Sequence, residues 1–230
     1  MPPVHSLKEN KGMLSLQRET VCRICDLGLI EQSAAYQVQQ NTLQEAITKR
    51  INTLIFCEHP PVLTLGRIAT EQHLLFSQKE IEQKGVKILR IDRGGEVTFH
   101  GPGQLVIYPI FCLEDFGKDL KAYLEKLEQV AIDLFQCFDI LAHSVEGMRG
   151  VWVKNQKIAS IGIGVRKWVS FHGMAVNVNT DLNYFSLIKP CGLDVEMTSM
   201  EKLLGRKMDL KDIKDKAIEC FARNFNLRFV

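Results

Sequence analysis

Apolar residues recur at steps of three and four from Lys118 to Phe138, where Leu120, Leu124, Leu127, Val130, Ala131, Leu134 and Phe138 share one face. That spacing predicts an amphipathic helix. Ser33–Arg50 reads as a second helix with Ser33 as its N-cap, Ser77–Lys84 as a third, and Asp209–Phe225 as a fourth capped by Asp209. A shorter helix is expected over Leu182–Ile188. Strands are predicted at Asn52–Cys57, Val62–Leu65, Val86–Ile91, Leu105–Ile110, Val151–Val153, Ile158–Val165 and Val169–Val178. Glu58-His59-Pro60-Pro61 forces an extended turn between the first two. Strands and helices do not alternate as βαβ units, and a link as short as Lys154-Asn155-Gln156 implies antiparallel neighbours. The expected class is α+β, a mixed sheet with helices packed on it. Residues 17–230 are expected to form one domain, behind a disordered lead over residues 1–16.

The same alternation divides two strands by side-chain size. Ile161, Ile163 and Val165 face one way, while Ser160, Gly162 and Gly164 face the other. In the following strand Met174, Val176 and Val178 oppose Gly173, Ala175 and Asn177. A face of small residues admits something close, either a packed helix or a ligand chain. Two such faces side by side could floor a slot for an acyl chain.

Composition narrows the function classes. The chain has 230 residues, 46% of them hydrophobic, and a net charge of +2. That charge is too weak to argue for nucleic acid, though it is compatible with a modest basic patch for an acidic partner. The first 18 residues lack the apolar core of a signal peptide, and no stretch has membrane-spanning length. The expectation is a soluble cytoplasmic protein, with neither nucleic acid nor membrane as a partner. Seven cysteines, an odd number, fit free thiols better than a disulfide scaffold.

Candidate chemistry is concentrated in three segments. Arg93-Gly94-Gly95-Glu96-Val97-Thr98-Phe99-His100-Gly101-Pro102-Gly103-Gln104 sets glycines among Arg, Thr, His and Gln. It is a place for a ligand to lie against the main chain, or equally a tight surface turn. It is neither a phosphate loop nor a dinucleotide turn. The second segment is Lys157–Val165, already singled out for its small face. The third is Pro190-Cys191-Gly192, where a cysteine between turn formers reads as accessible, as a nucleophile must be. Cys57 and Cys137 read as apolar-face cysteines. Cys22 and Cys25 form a CxxC at helical spacing with no second ligand pair, so both read as core. The six histidines show neither HxxxH nor HExxH spacing, and no GxSxG elbow is present. His59, before two prolines, reads as structural. His100 and His172 are better functional candidates, with a satisfied structural histidine as the alternative for each.

In this order the segments resemble the lipoyl(octanoyl) transferase family. The resemblance runs from Asp26-Leu27-Gly28-Leu29 through Glu58-His59-Pro60-Pro61-Val62, Thr64-Leu65-Gly66-Arg67 and Arg93-Gly94-Gly95 to Gly101-Pro102-Gly103-Gln104. It continues through Gly150-Val151-Trp152-Val153, Lys157-Ile158-Ala159, His172-Gly173, Thr180-Asp181-Leu182 and Pro190-Cys191-Gly192. It implies the fold of biotin/lipoate ligase catalytic domains, and octanoyl transfer from an acyl carrier protein thioester, through a cysteine acyl-enzyme, to a lysine of lipoyl-domain proteins. Those acceptors would be 2-oxoacid dehydrogenase E2 subunits and glycine cleavage H protein. By resemblance Cys191 is the nucleophile and Lys157 lowers its pKa. Substrate-binding residues are Arg93, Gly94, Gly95, Glu96, Val97, Thr98, Phe99 and His100, then Ser160, Ile161 and Gly162, then Gly173, Met174 and Ala175. Ser160 replaces a common alanine, and Met174 a Leu or Phe.

A thioester donor is already activated, so neither a cofactor nor a metal is expected. Backbone amides near Gly192, or His100, are the candidates for stabilising the oxyanion. Competing readings are an ATP-dependent lipoate–protein ligase, which needs no nucleophilic cysteine, and a non-catalytic acyl-carrier-binding module. One conflict stands. A regular strand would put Lys157 on the face of Ile161 instead of Gly162, and only a bend or bulge at the strand start would turn it.

Overall fold

A computed structural model describes residues 19–189 and 195–230 of the chain. Its first helix, α1, spans Gln32–Lys49, with Glu31 at the N-cap and no side-chain capping bond, so Ser33 lies inside the first turn. Helix α2 (Gln78–Gln83) begins at Ser77, whose hydroxyl accepts from the Glu80 N–H while Glu80 returns a bond to the Ser77 backbone. Helix α3 spans Leu120–Gln136, capped by Asp119, and buries Tyr123, Leu127, Val130, Ala131, Leu134 and Phe135. Leu120 stays exposed at 41%, because it precedes the packed turns. Helix α4 is Met200–Leu204. Helix α5 is Leu210–Phe225 with Asp209 as N-cap, as its spacing predicts. The helix expected over Leu182–Ile188 is instead a tighter 3₁₀ stretch, Leu182–Leu187.

Eleven strands are described: β1 (Thr20–Leu29), β2 (Asn52–Glu58), β3 (Val62–Leu65), β4 (Lys87–Arg90), β5 (Val97–His100), β6 (Gln104–Ile110), β7 (His143–Val145), β8 (Met148–Val153), β9 (Gln156–Arg166), β10 (Val169–Asn177) and β11 (Leu227–Phe229). Eight form one sheet in the order β11-β1-β2-β6-β10-β9-β8-β7, and β4-β3-β5 form a second. In the large sheet β1 runs parallel to β11 and β2, while the remaining pairs are antiparallel. The architecture is α+β.

Strand β1 escapes a pattern search because Val21, Ile24 and Leu29 are 44, 39 and 62% exposed, so its apolar residues trace no buried face. It also places Cys22 and Cys25 on a strand rather than a helix, with Cys22 buried and Cys25 half-buried. Cys137 caps the end of α3 and is exposed, not core.

Both faces of the large sheet are covered. Helices α3 and α5 close one face over Leu54, Leu105, Ile107, Met174 and Val176. Helix α1 packs through Ala35, Leu43 and Ala46 against Ile55, Val106, Tyr108, Ile110 and Phe171 on the other. The small sheet has its own core, where Leu63, Val97 and Phe99 meet Ile81, Phe185 and Leu187. Side chains of 150–250 Å² such as Phe56, Phe99, Phe111, Phe135 and Phe221 are almost wholly withdrawn from water, and this burial is the main force holding the layers together.

Candidate active site

A cavity of about 230 Å³ opens between the large sheet and the loop that leads into β5. Its wall on the large sheet comes from β6, β8, β9 and β10; the opposing wall is Ile91 and Arg93–Thr98, closed by His100 and Val195. Of the expected substrate-binding residues, all line it except Phe99. Phe99 points into the small-sheet core, stacked 4.7 Å from Tyr184 and edge-on to Phe185 at 5.6 Å. It therefore holds the strand that carries Thr98 and His100.

The floor follows the strand register. Ser160 pairs with Ala175, Ile161 with Met174 and Gly162 with Gly173, so small residues meet small residues across β9 and β10. The Ile161 and Met174 side chains pack into the α3–α5 core. The glycines serve close backbone approach as much as open space. A Cβ on Gly162 would lie 2.8 Å from the Gly94 oxygen, and one on Gly173 would lie 2.2 Å from the Ile107 oxygen. Gly164, expected on the slot floor, is covered by the Phe171 ring, whose atoms would be 2.3 Å from an added Cβ. Its smallness is a packing requirement.

The conflict over Lys157 resolves at a β-bulge. Between β8 and β9, Val151 pairs with Ala159 but Trp152 pairs with Lys157, so Ile158 is the extra residue. Ile158 and Ala159 both bury in the α3–α5 core. Lys157 is turned to the cavity side with Ser160 and Gly162. Its residue is only 4% exposed, and its Nζ stands 5.4 Å from the centre of the Trp152 ring. Backbone bonds fix the spot: the Lys157 N–H donates to the Glu196 oxygen at 2.8 Å, and the Thr198 N–H donates to the Lys157 oxygen at 2.9 Å.

Arg93 ties the loop down. Its Nη2 donates to the Thr64 carbonyl at 2.6 Å, its Nε to the Thr64 hydroxyl at 3.2 Å, and its Nη1 to the Gly94 oxygen at 2.9 Å. The Gly94 N–H then donates to the Ile163 oxygen at 2.8 Å, joining the loop to β9. Glu96 reaches His73, 3.2 Å away. The His73 oxygen in turn accepts the Lys189 N–H at 2.9 Å, so this wall is tied to the chain just before residue 190.

Buried histidines sit beneath and beside the cavity. His100 Nδ1 is 2.7 Å from Gln104 Oε1, and the Gln104 amide donates to Asn177 Oδ1 and the Phe99 oxygen. That assignment makes Nδ1 the protonated nitrogen and leaves Nε2 as an acceptor facing the Thr64 hydroxyl at 3.4 Å. Burial pushes the ring's pKa down to about 3, so it is neutral at ordinary pH. With no proton on Nε2, His100 is a poor oxyanion donor, contrary to one of the two expectations above. His59 accepts from the Tyr108 hydroxyl at 2.8 Å and donates to the Ile30 oxygen at 2.7 Å, a satisfied structural histidine, and burial holds it below its usual pKa.

His172 adopts the left-handed region at φ +56°, rare for a non-glycine residue, which breaks the alternation of β10 and brings its ring to the cavity wall. Its Nε2 lies 2.9 Å from Asp92 Oδ1. Burial outweighs that carboxylate and keeps the ring's pKa below the usual value. Asp92 was not legible as a site residue, although it directly precedes the Arg93 motif. Tyr108, a polar tip in the apolar run that follows Gln104 in β6, is a further lining residue with a visible signal in the sequence.

Cys191, with Pro190 and Gly192, lies outside the described residues. None of the other six cysteines lines the cavity. Burial raises the thiol pKa of Cys22 and Cys220 to about 12, and also that of Cys57, Cys25 and Cys112, which suppresses the thiolate. Cys137 is exposed at the end of α3. Among the described residues no group of three His, Cys, Asp or Glu could hold a metal ion, and no helix is long and apolar enough to cross a membrane.

Comparison with known proteins places this geometry in a family. Residues 33–222 match the lipoyl protein ligase A/B catalytic domain. An octanoyltransferase of Caldicellulosiruptor saccharolyticus is 42% identical over 210 residues, covering 90% of this chain and 89% of its own length. An octanoyltransferase of Porphyromonas gingivalis is 41% identical over 213 residues; the match covers 87% of this chain but only 43% of that longer protein. Solved structures share the fold at low identity. A lipoate-protein ligase A bound with ATP has a TM-score of 0.73 at 14% identity, over 93% of this chain and 88% of that one. A biotin protein ligase from Aquifex aeolicus, in complex with biotin and ATP, has a TM-score of 0.52 at 13% identity, over 90% of this chain and 70% of that one. The chain belongs to the lipoyl protein ligase A/B catalytic-domain family and, within it, to the octanoyltransferases, acyl-transferring enzymes of lipoate biosynthesis.

Proposed function

We propose that this enzyme takes octanoyl from the phosphopantetheine thioester of an acyl carrier protein onto Cys191, and then passes it to a lysine of a lipoyl domain. The observation that carries the reading is the bulge that turns Lys157 into a cavity floored by the small faces of β9 and β10. Val195, four residues after Cys191 in sequence, lines the same cavity. In the first step the Cys191 sulfur attacks the donor carbonyl and the carrier thiol leaves, so one thioester replaces another. In the second, the acceptor amine attacks, Cys191 leaves as the thiol, and an amide forms. Lys157 would move the proton at both stages, from the Cys191 thiol and from the incoming amine. The apolar acyl chain would lie along Ser160, Gly162, Gly173 and Ala175. Acceptors would be lipoyl domains of 2-oxoacid dehydrogenase E2 subunits and glycine cleavage H protein.

Intact-mass spectrometry after mixing with octanoyl-carrier protein tests this directly. The expected result is an adduct of one octanoyl group that disappears in Cys191→Ala. Absence of the adduct, with modification of a lipoyl domain that requires ATP, would replace the transferase reading with that of a ligase. The fold admits that alternative, since the lipoate-protein ligase A structure that shares it is bound with ATP.

A further inference from the structure

Lys157 is seated between two residues of β8, one of which is held by a carboxylate that the reaction above does not use. A Cβ on Gly150 would lie 2.5 Å from Lys157 Cε and 3.2 Å from Nζ, so the lysine stem runs against bare backbone. Gly150 also has φ +120°, a conformation closed to most side chains. The Trp152 ring supplies the other wall, at a distance suited to a cation–π contact. The Gly150 N–H donates to Glu128 Oε1 at 3.2 Å, and Glu128 Oε2 lies 3.5 Å from Nη1 of Arg149. Glu128 comes from α3 and is only 6% exposed, among neighbours that are mostly apolar. A buried carboxylate is costly unless hydrogen-bonded. Here its partners are the backbone that seats Lys157 and a residue lining the same end of the cavity.

We propose that Glu128 is the positioning residue for Lys157: by fixing Gly150 and Arg149 it sets where the lysine Nζ stands. The assignment rests on Lys157 acting in the transfer. Its test therefore separates the seat from the chemistry. Amine labelling of Lys157, quantified by peptide mapping, reads the seat without any turnover, and octanoyl-transfer kinetics read its consequence. Glu128→Ala should speed Lys157 labelling and lower kcat by about tenfold, with KM little changed, since small misplacements of a reacting group cost that much. Glu128→Gln keeps an oxygen for the Gly150 N–H and should restore most of both. Leu134→Ala, on the same helix and fully buried, is the control for lost stability and should move neither. If Glu128→Ala matches Leu134→Ala in labelling and kcat, the proposal fails. If Glu128→Ala does not fold, Glu128→Asp keeps the carboxylate but draws it back from the Gly150 N–H, and wild-type labelling and kcat there would overturn the seat. Unimpaired transfer by Lys157→Ala would instead overturn the catalytic reading and leave the labelling result standing.

Discussion

Trp152 faces Lys157 across the point where β8 and β9 slip by one residue, and the lysine Nζ rests 5.4 Å from the centre of its ring. The slip decides the chemistry, because without it the lysine would share the strand face of Ala159 and Ile161, which packs into the α3–α5 core. The seat holds an amine, and the first prediction asks whether it must be one that can give and take a proton.

Lys157→Arg keeps the positive charge but replaces a titratable amine with a group that stays protonated. Acylation of Cys191, followed by quenched intact-mass measurements, should slow at least tenfold if Lys157 transfers a proton, a small part of the usual range for such a step. A wild-type rate would leave Lys157 only an electrostatic role.

Ser160 sits on the cavity floor opposite the small Ala175, two residues along the strand from Gly162. Ser160→Leu should fill the space of several methylenes. Acylation by an octanoyl donor should drop by roughly 10–200-fold, the usual penalty for such a mismatch, while a butanoyl donor is spared. Equal losses for both chain lengths would show that the acyl chain runs elsewhere.

Arg93 gives hydrogen bonds from its guanidinium to Thr64 and Gly94. Lysine cannot reproduce that planar set of donors. Arg93→Lys should lower unfolding stability by about 1–3 kcal/mol, measured by urea denaturation, because the Thr64 carbonyl loses its bond in a buried place. An unchanged midpoint would show that the loop is held mainly by the Gly94–Ile163 backbone bond.

Three buried rings, His59, His100 and His172, titrate below the ordinary histidine value, and burial is the main cause for each. An unfolded histidine titrates at about 6.5. Below that pH the unfolded chain binds protons that the folded rings refuse, so these rings lower stability as pH falls. For His100, with its folded pKa of about 3, the loss runs from about 6.5 down to 3, at about 1.4 kcal/mol per pH unit. Urea midpoints at pH 8, 6.5 and 5 (roughly spanning that titration) should be flat over the first interval and fall over the second. His100→Gln should show a shallower fall, and an identical slope would remove His100 from the cause.

Much of this protein is set by local pattern. The apolar stripe of α3, the Asp209 cap of α5 and the small faces of β9 and β10 follow from residue spacing alone, because helix and strand periods are local properties of the backbone. The family motif is likewise a matter of order along the chain. Strand β1 is not visible in this way, since its residues are sorted by pairing with β2 and β11 instead of by a buried face. Gly164 reads as part of a small slot-lining face and Phe99, by resemblance, as substrate-binding, yet each meets an aromatic partner that only the folded chain brings near. Alternation along β9 even points Lys157 the wrong way. Its true direction depends on one residue of slippage against β8 and on backbone bonds to Glu196 and Thr198, roughly forty residues further along the chain. Residue type therefore determined which groups are available for acyl transfer, and long-range strand pairing decided which of them share a cavity.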